Sequence, residues 1–424
     1  MSSDCARGLC LVAGSCAAPC QEDKDCSLNE RCTSGFVRHD SGPWRAAVCV
    51  SRANLDSDVK FESIVASDAI SVGTSQLRLP GTSDPAVYVI EHVNDHAWPF
   101  SSDCRPPLCA LSLRTREAQP ITLFSRGQDA TLDTTSIANW PYAFPLTVYI
   151  GNNVDPVYSG SGYDLEVIAE VAGDARITQL SRSAQSQGVL DINLFYAGVT
   201  ALTSSSGDIP QIVVDALDVV SSIYAQAGIT LGDVHQVMIP QTLLESGNTF
   251  ENADDPRAGF SVLHRGYGVW PELPALFALS AGVPNGGVNL FLVSDIEGMG
   301  DGEVQALAGG TPGPMGIQGT GASGIAIAAD MLMGDADKLG RTMAHEIAHY
   351  LGLFHISEGD GTVLDSLADT PECTLAQDSN NDAQLSLDEC IDFGADNLMF
   401  WATGAGHALT QDQITILRRA LLLR

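Results

Sequence analysis

The stretch His345-Glu-Ile-Ala-His349-Tyr-Leu-Gly352-Leu-Phe-His355 organises the reading of this 424-residue chain, because it fits HExxHxxGxxH at every fixed position. At about 100° per residue, His345 and His349 fall one turn apart on the same helix face, a two-point grip on a metal ion. Leu339, Met343, Ile347 and Leu351 recur every four residues on roughly the opposite face. The helix is therefore predicted to bury that stripe while its histidines look into a cleft. Gly352 tolerates the left-handed conformation that ends a helix, and the turn returns His355 as a third nitrogen ligand. Three imidazoles leave one zinc position open to water, as in catalytic rather than structural sites. Glu346 lies between the first two ligands, where it is placed to take a proton from that water and pass it to a leaving amine. The motif thus predicts zinc-dependent hydrolysis of peptide bonds, with a protein or peptide as substrate.

Downstream, Asn397-Leu-Met399-Phe-Trp401 supplies a candidate Met-turn. The eleven-residue motif with such a turn resembles the metzincins. Within them the chain resembles the pappalysin family over roughly residues 189–424. That likeness is carried by the order of His355, Asp369-Thr-Pro371, Asn397-Leu-Met399 and Leu409-Thr-Gln-Asp-Gln413. The resemblance implies a secreted endopeptidase with an upper zinc-helix subdomain and a lower irregular one, and Met399 as an apolar floor beneath the metal. It also implies cleavage before basic residues through an acidic group just past the Met-turn. Here Ala402-Thr-Gly-Ala-Gly-His407 holds no carboxylate, and Trp401 stands where some metzincins place a tyrosine.

Between His355 and Met399, the run Asp378 to Glu389 matches a twelve-residue EF-hand loop at positions 1, 3, 5, 8 and 12. Asp378, Asn380, Asp382, the Gln384 backbone and a bidentate Glu389 would offer oxygens to calcium. Ala383 replaces the glycine expected at position 6. Cys373 and Cys390 bracket the loop and are placed to close it with a disulfide. The family resemblance would allow a second calcium site at Asp360, Asp365 and Asp369.

Upstream of the zinc helix the texture predicts a multidomain chain. Seven of the eleven cysteines precede residue 50, so residues 1–50 read as a small disulfide-rich module from an oxidising compartment. Residues 51–187 alternate in the β manner, with strands expected at Val87–His92, Leu146–Ile150 and Tyr163–Val171, as in a β-sandwich. This region is a candidate pro-domain of a zymogen, joined by the polar string from Ser181 to Gly188. Residues 188–424 alternate strands with helices, the pattern of an α/β catalytic domain. Expected strands are Val189–Tyr196, Val288–Val293 and Gly324–Ala329, and the expected helix is Ile209–Ala227. Gly309–Gly324, rich in Gly and Pro, reads either as the sheet edge that receives substrate or as a flexible surface loop.

Composition narrows the function classes. The formal charge is −31, which repels nucleic acid and anionic membranes, and no apolar run spans a bilayer. The opening Met-Ser-Ser-Asp carries no signal peptide, so the chain is read as starting at the mature protein or proprotein, destined for secretion. An odd cysteine count leaves one thiol that either stays free, pairs with another chain or caps the zinc for latency, Cys104 and Cys109 being candidates. The sequence assigns no oligomeric state. The competing class is a calcium-dependent binding or adhesion protein whose zinc site is structural or inactive.

Overall fold

The computed structural model describes residues 9–21, 25–27, 30–37, 44–51, 59–71, 73–93, 110–115, 126–127, 146–151, 154–156, 158–169, 173–182, 188–199, 208–240, 260–264, 270, 272–297, 304–402 and 405–424.

Near the N-terminus, Glu30–Val37 and Trp44–Ser51 pair as an antiparallel hairpin held by the Cys20–Cys32 and Cys26–Cys49 disulfides. Cys10 and Cys16 are also disulfide-bonded, and no described cysteine is free. Cys5, Cys104 and Cys109, and with them the latency thiol, lie outside the described residues. The hairpin is not a detached module. Val12 and Ala13 share a core with Phe260, Leu273 and Phe277, and Leu11 packs with Val37, Val48 and Ala281. A segment this short cannot enclose a core alone, so it borrows one.

The β-rich region forms two antiparallel sheets. One orders Leu146–Ile150, Ala86–Val93, Gly173–Arg182 and Val59–Ile70; the other orders Gly73–Leu79, Tyr163–Ala169 and Ala110–Thr115. Tyr88 and Tyr163 meet edge to face between them, 5.9 Å apart. Ala86 to Ile90 are buried without alternation. The reason is that the sheet is covered twice: Val87, Val89, Tyr149 and Leu180 join the core of the region that follows.

Beyond residue 188 the expected α/β pattern appears. Strands β1 (Val189–Ala197), β2 (Thr230–Met238), β3 (Val288–Val293), β4 (Ala306–Ala308) and β5 (Ile325–Ala328) form one sheet in the order β2-β1-β3-β5-β4. All neighbours run parallel except β4, an antiparallel edge strand beside β5. Helix α1 (Gln211–Ala225) crosses α2 (Ala336–Tyr350) on one face of that sheet. Gly340 permits the close approach, since a Cβ there would lie 2.5 Å from the Ala216 carbonyl oxygen. A last helix, α3 (Gln411–Arg418), precedes the C-terminus, where Arg424 pairs with Asp191 and exchanges backbone hydrogen bonds with Val189.

The Gly- and Pro-rich stretch is neither the sheet edge nor a surface loop. Residues 311–329 are buried throughout, and Met315 and Ile317 belong to the main core. Small residues serve close packing here: a Cβ on Gly313 would overlap the Tyr350 ring. The sheet edge on this side belongs instead to the strand just before it, β4, which pairs through one flank only among the described residues.

Candidate metal centre

Helix α2 starts where Asp335 accepts the Lys338 amide at 3.0 Å, a side-chain cap on an otherwise unsatisfied first-turn N–H. Leu339, Met343, Ile347 and Leu351 are fully buried against the core, as the four-residue recurrence predicts. The Tyr224 hydroxyl donates to the Ala344 carbonyl at 3.0 Å and fixes the helix against α1. Gly352 ends it at φ 106, a left-handed geometry that favours glycine.

The turn brings His355 back to the helix histidines. Its Nε2 lies 3.1 Å from His345 Nε2 and 3.0 Å from His349 Nε2. Their Nδ1 atoms all point away from one another. His345 Nδ1 donates to the Leu398 carbonyl at 2.6 Å, and His349 Nδ1 to the Leu353 carbonyl at 2.7 Å. A carbonyl only accepts, so each of these Nδ1 atoms carries the proton and each Nε2 presents a lone pair. His355 Nδ1 meets Glu358 Oε1 at 3.0 Å. Lone pairs converging at such distances repel unless a proton or a metal cation lies among them. Zinc bonds imidazole nitrogen at about 2.0–2.1 Å, which suits this spacing, so the residues fit the ion.

Burial shapes the electrostatics of the metal-free site. It drives His345 down to about 3, assisted by the neighbouring His355. His349 is lowered for the same two reasons. Burial also opposes charge on His355, but the Glu358 carboxylate outweighs it and raises that group. Glu346 is buried and pushed up to about 7 by loss of hydration, while His355 and the Ala308 amide act in the other direction. A divalent cation among the histidines would favour its ionised form. The contact with Ala308 sets Glu346 beside edge strand β4.

The segment from Asn397 to Trp401 lies against the site, since its Leu398 carbonyl accepts from His345 Nδ1. Met399 is fully buried; its carbonyl accepts the Ile356 amide, next to His355, at 2.9 Å. Asn397 Oδ1 accepts the Met399 amide at 2.8 Å, and Asn397 and Gln413 exchange side-chain hydrogen bonds at 3.0 and 3.1 Å. The closing Leu409–Gln413 motif therefore holds the Met-turn, with Thr410 and Gln413 forming a capping box for α3. Asp369 accepts the Asp412 amide at 2.9 Å and caps the same helix. Trp401 lays its ring near Gly359, where a Cβ would sit 3.3 Å away. In the stretch after it, residues 403–404 lie outside the described residues.

The 378–389 loop is closed by the Cys373–Cys390 disulfide. Asp378 Oδ2 accepts the Ala383 amide at 2.9 Å, Asn380 Oδ1 that of Asp382 at 2.9 Å, and Asp382 Oδ1 that of Gln384 at 2.8 Å. Glu389 accepts from the amides and hydroxyls of Ser379 and Ser386, at 2.8–2.9 Å. Those bonds hold its carboxyl down to about 2. Ala383 occupies the left-handed region at φ 62, where the EF-hand pattern expects glycine. Among the described residues, the His, Cys, Asp or Glu ligand atoms that gather in threes within 4.8 Å are those of the three histidines and of Cys20, Cys26 and Cys49. The latter are consumed by disulfides.

Glu358 and the Leu398 and Leu353 carbonyls are the partners that the motif did not disclose. The His355-x-x-Glu358 spacing was the available sign of the first; carbonyls carry no sequence sign at all.

Residues 316–422 match the family model of pregnancy-associated plasma protein-A. No curated protein sequence matches the chain. Among solved structures, a zinc-dependent peptidase from Methanocorpusculum labreanum is 13% identical with a TM-score of 0.23, covering 40% of this chain and 85% of that one. Metalloproteinase-II from Bacteroides fragilis is 9% identical with a TM-score of 0.27, covering 92% and 91%. Scores this low do not establish a shared fold, so the assignment rests on the family match and the histidines. His345, His349 and His355 lie inside the matched span, so residues 316–422 are similar to the pregnancy-associated plasma protein-A family, and the family match together with the three histidines supports a zinc metallopeptidase.

Proposed function

We propose that this protein is a secreted endopeptidase in which His345, His349 and His355 hold zinc and Glu346 is the general base. The observation that carries the reading is the convergence of three Nε2 atoms beside a buried glutamate next to the edge strand of the sheet. When bound, zinc supplies Lewis acidity toward the scissile carbonyl and acidifies water at the open side of the site. The Glu346 carboxylate accepts a proton as water attacks, then delivers it to the departing amine nitrogen. Strand β4 offers its outer backbone groups to an extended peptide, and its alanines let the peptide approach closely. Met399 packs as the floor beneath the ligands. Disulfides, together with the lack of any described helix long and apolar enough to cross a membrane, agree with an extracellular setting.

Calcium at Asp378, Asn380, Asp382, Gln384 and Glu389 belongs to the same proposal. Its support is the EF-hand-like bonding of the loop and the Asp378 Oδ1 atom, enclosed with no donor in reach. Residues 1–50, 51–187 and 188–424 are taken as the working domains, with cleavage near residues 181–188 as the activation step if the chain is a zymogen. Purified wild type and Glu346→Ala, incubated with casein in zinc and calcium, test the reading: equal degradation by the two, or none by either, rejects it. Mass analysis of the incubated wild type reports activation cleavage, and an intact chain with full activity rejects the zymogen.

A further inference from the structure

The three histidines are oriented by unlike partners. His345 and His349 donate to backbone carbonyls, of Leu398 and Leu353, whose positions follow from the chain path. His355 alone relies on a side chain, the Glu358 carboxylate at 3.0 Å. His355 is also the ligand that no helix holds.

The turn bearing Glu358 is built to keep that carboxylate in place. The Glu358 amide donates to the Val363 carbonyl at 2.9 Å, and the Gly361 amide returns to the Glu358 carbonyl at 2.8 Å. The Gly359 carbonyl accepts the Leu385 amide at 2.7 Å, so the turn is tied to the disulfide-closed loop. Trp401 lies over Gly359, where a Cβ would make a tight 3.3 Å contact with its ring, and a Cβ on Gly361 would meet the Leu375 amide nitrogen at 2.7 Å and the Leu385 side chain at 2.8 Å. Gly361 adopts φ 64.

We propose that Glu358 is a positioning residue for the metal: it fixes the ring orientation and tautomer of His355, so that Nε2 faces the other two ligands. Carboxylates bonded to the distal nitrogen of a ligating histidine raise its basicity, and their loss costs about 10–100-fold in metal affinity. This rests on the zinc reading above, and the test separates the two. Zinc affinity is measured by chelator competition for the wild type, Glu358→Gln and Glu358→Ala, together with thermal unfolding of the zinc-stripped proteins. Glu358→Ala is expected to bind zinc about 10–100-fold more weakly. Glu358→Gln, which keeps an acceptor oxygen, should recover part of that loss. The zinc-stripped proteins should unfold alike, which separates positioning from a general structural role. Wild-type affinity in Glu358→Ala overturns the proposal while leaving the zinc site standing. A wild type that takes up no zinc overturns both.

Discussion

The histidine triad and the 378–389 loop are both assembled from metal-ligand residue types, yet their electron pairs are used differently. In the loop, Glu389 is engaged by two serine hydroxyls and two amides, and Asp378, Asn380 and Asp382 accept neighbouring amides. In the triad every Nδ1 has a partner, while the Nε2 atoms face only one another. The loop is exposed and the helix histidines are buried. Need for a cation is therefore set by what remains unsatisfied after folding, and burial magnifies it.

The largest expected break comes at the base. Glu346→Gln should lower peptide hydrolysis roughly 10²–10⁴-fold with zinc content unchanged, measured by digestion of a peptide library alongside metal analysis. Loss of zinc together with activity would instead make Glu346 structural. Next, stripping zinc should destabilise the folded chain by about 4 kcal/mol at free zinc near a thousand times the dissociation constant. Melting curves with and without a zinc chelator report this, and His349→Ala should abolish the difference.

Acid should separate the two regions by pH. Glu358 raises His355 in the metal-free protein, so protons compete with zinc once the pH falls below that raised value. Zinc affinity should decline by about tenfold per pH unit there, followed by chelator competition. Glu389 is depressed to about 2, so its contribution is present above the ordinary carboxylate range and vanishes only as pH falls toward that value. Zinc should leave long before the loop loses its hydrogen bonds. Both changing together would mean the regions are not independent.

Smaller effects probe the loop. Calcium should raise the melting point through the loop by about 1–2 kcal/mol of stabilisation, and Asp378→Ala should cancel that shift. No shift in the wild type would leave the loop purely structural. Ala383→Gly should add about 0.5 kcal/mol by relieving the left-handed strain, seen as a slightly higher denaturant midpoint.

The primary sequence by itself determined the metal site, because ligand spacing is local. His345 and His349 share one helix face, Gly352 turns the chain, and His355 follows three residues later; little outside that run is needed to bring them together. Strands β1 and β3 and helix α1 were legible for the same reason: apolar periodicity is written over neighbouring residues. Tertiary structure alone decided three other matters. Gly309–Gly324 became core because Tyr350, Ala281 and Phe291 pack against its glycines, a fact about distant residues. The N-terminal segment joined the core of the region that follows because Val12 and Ala13 found Phe260 and Phe277. The orientation of each histidine was settled by Leu398, Leu353 and Glu358, two of them acting through carbonyls that every residue possesses. Side-chain identity reveals which atoms can bind a metal; the backbone, which carries no identity, decides where those atoms point.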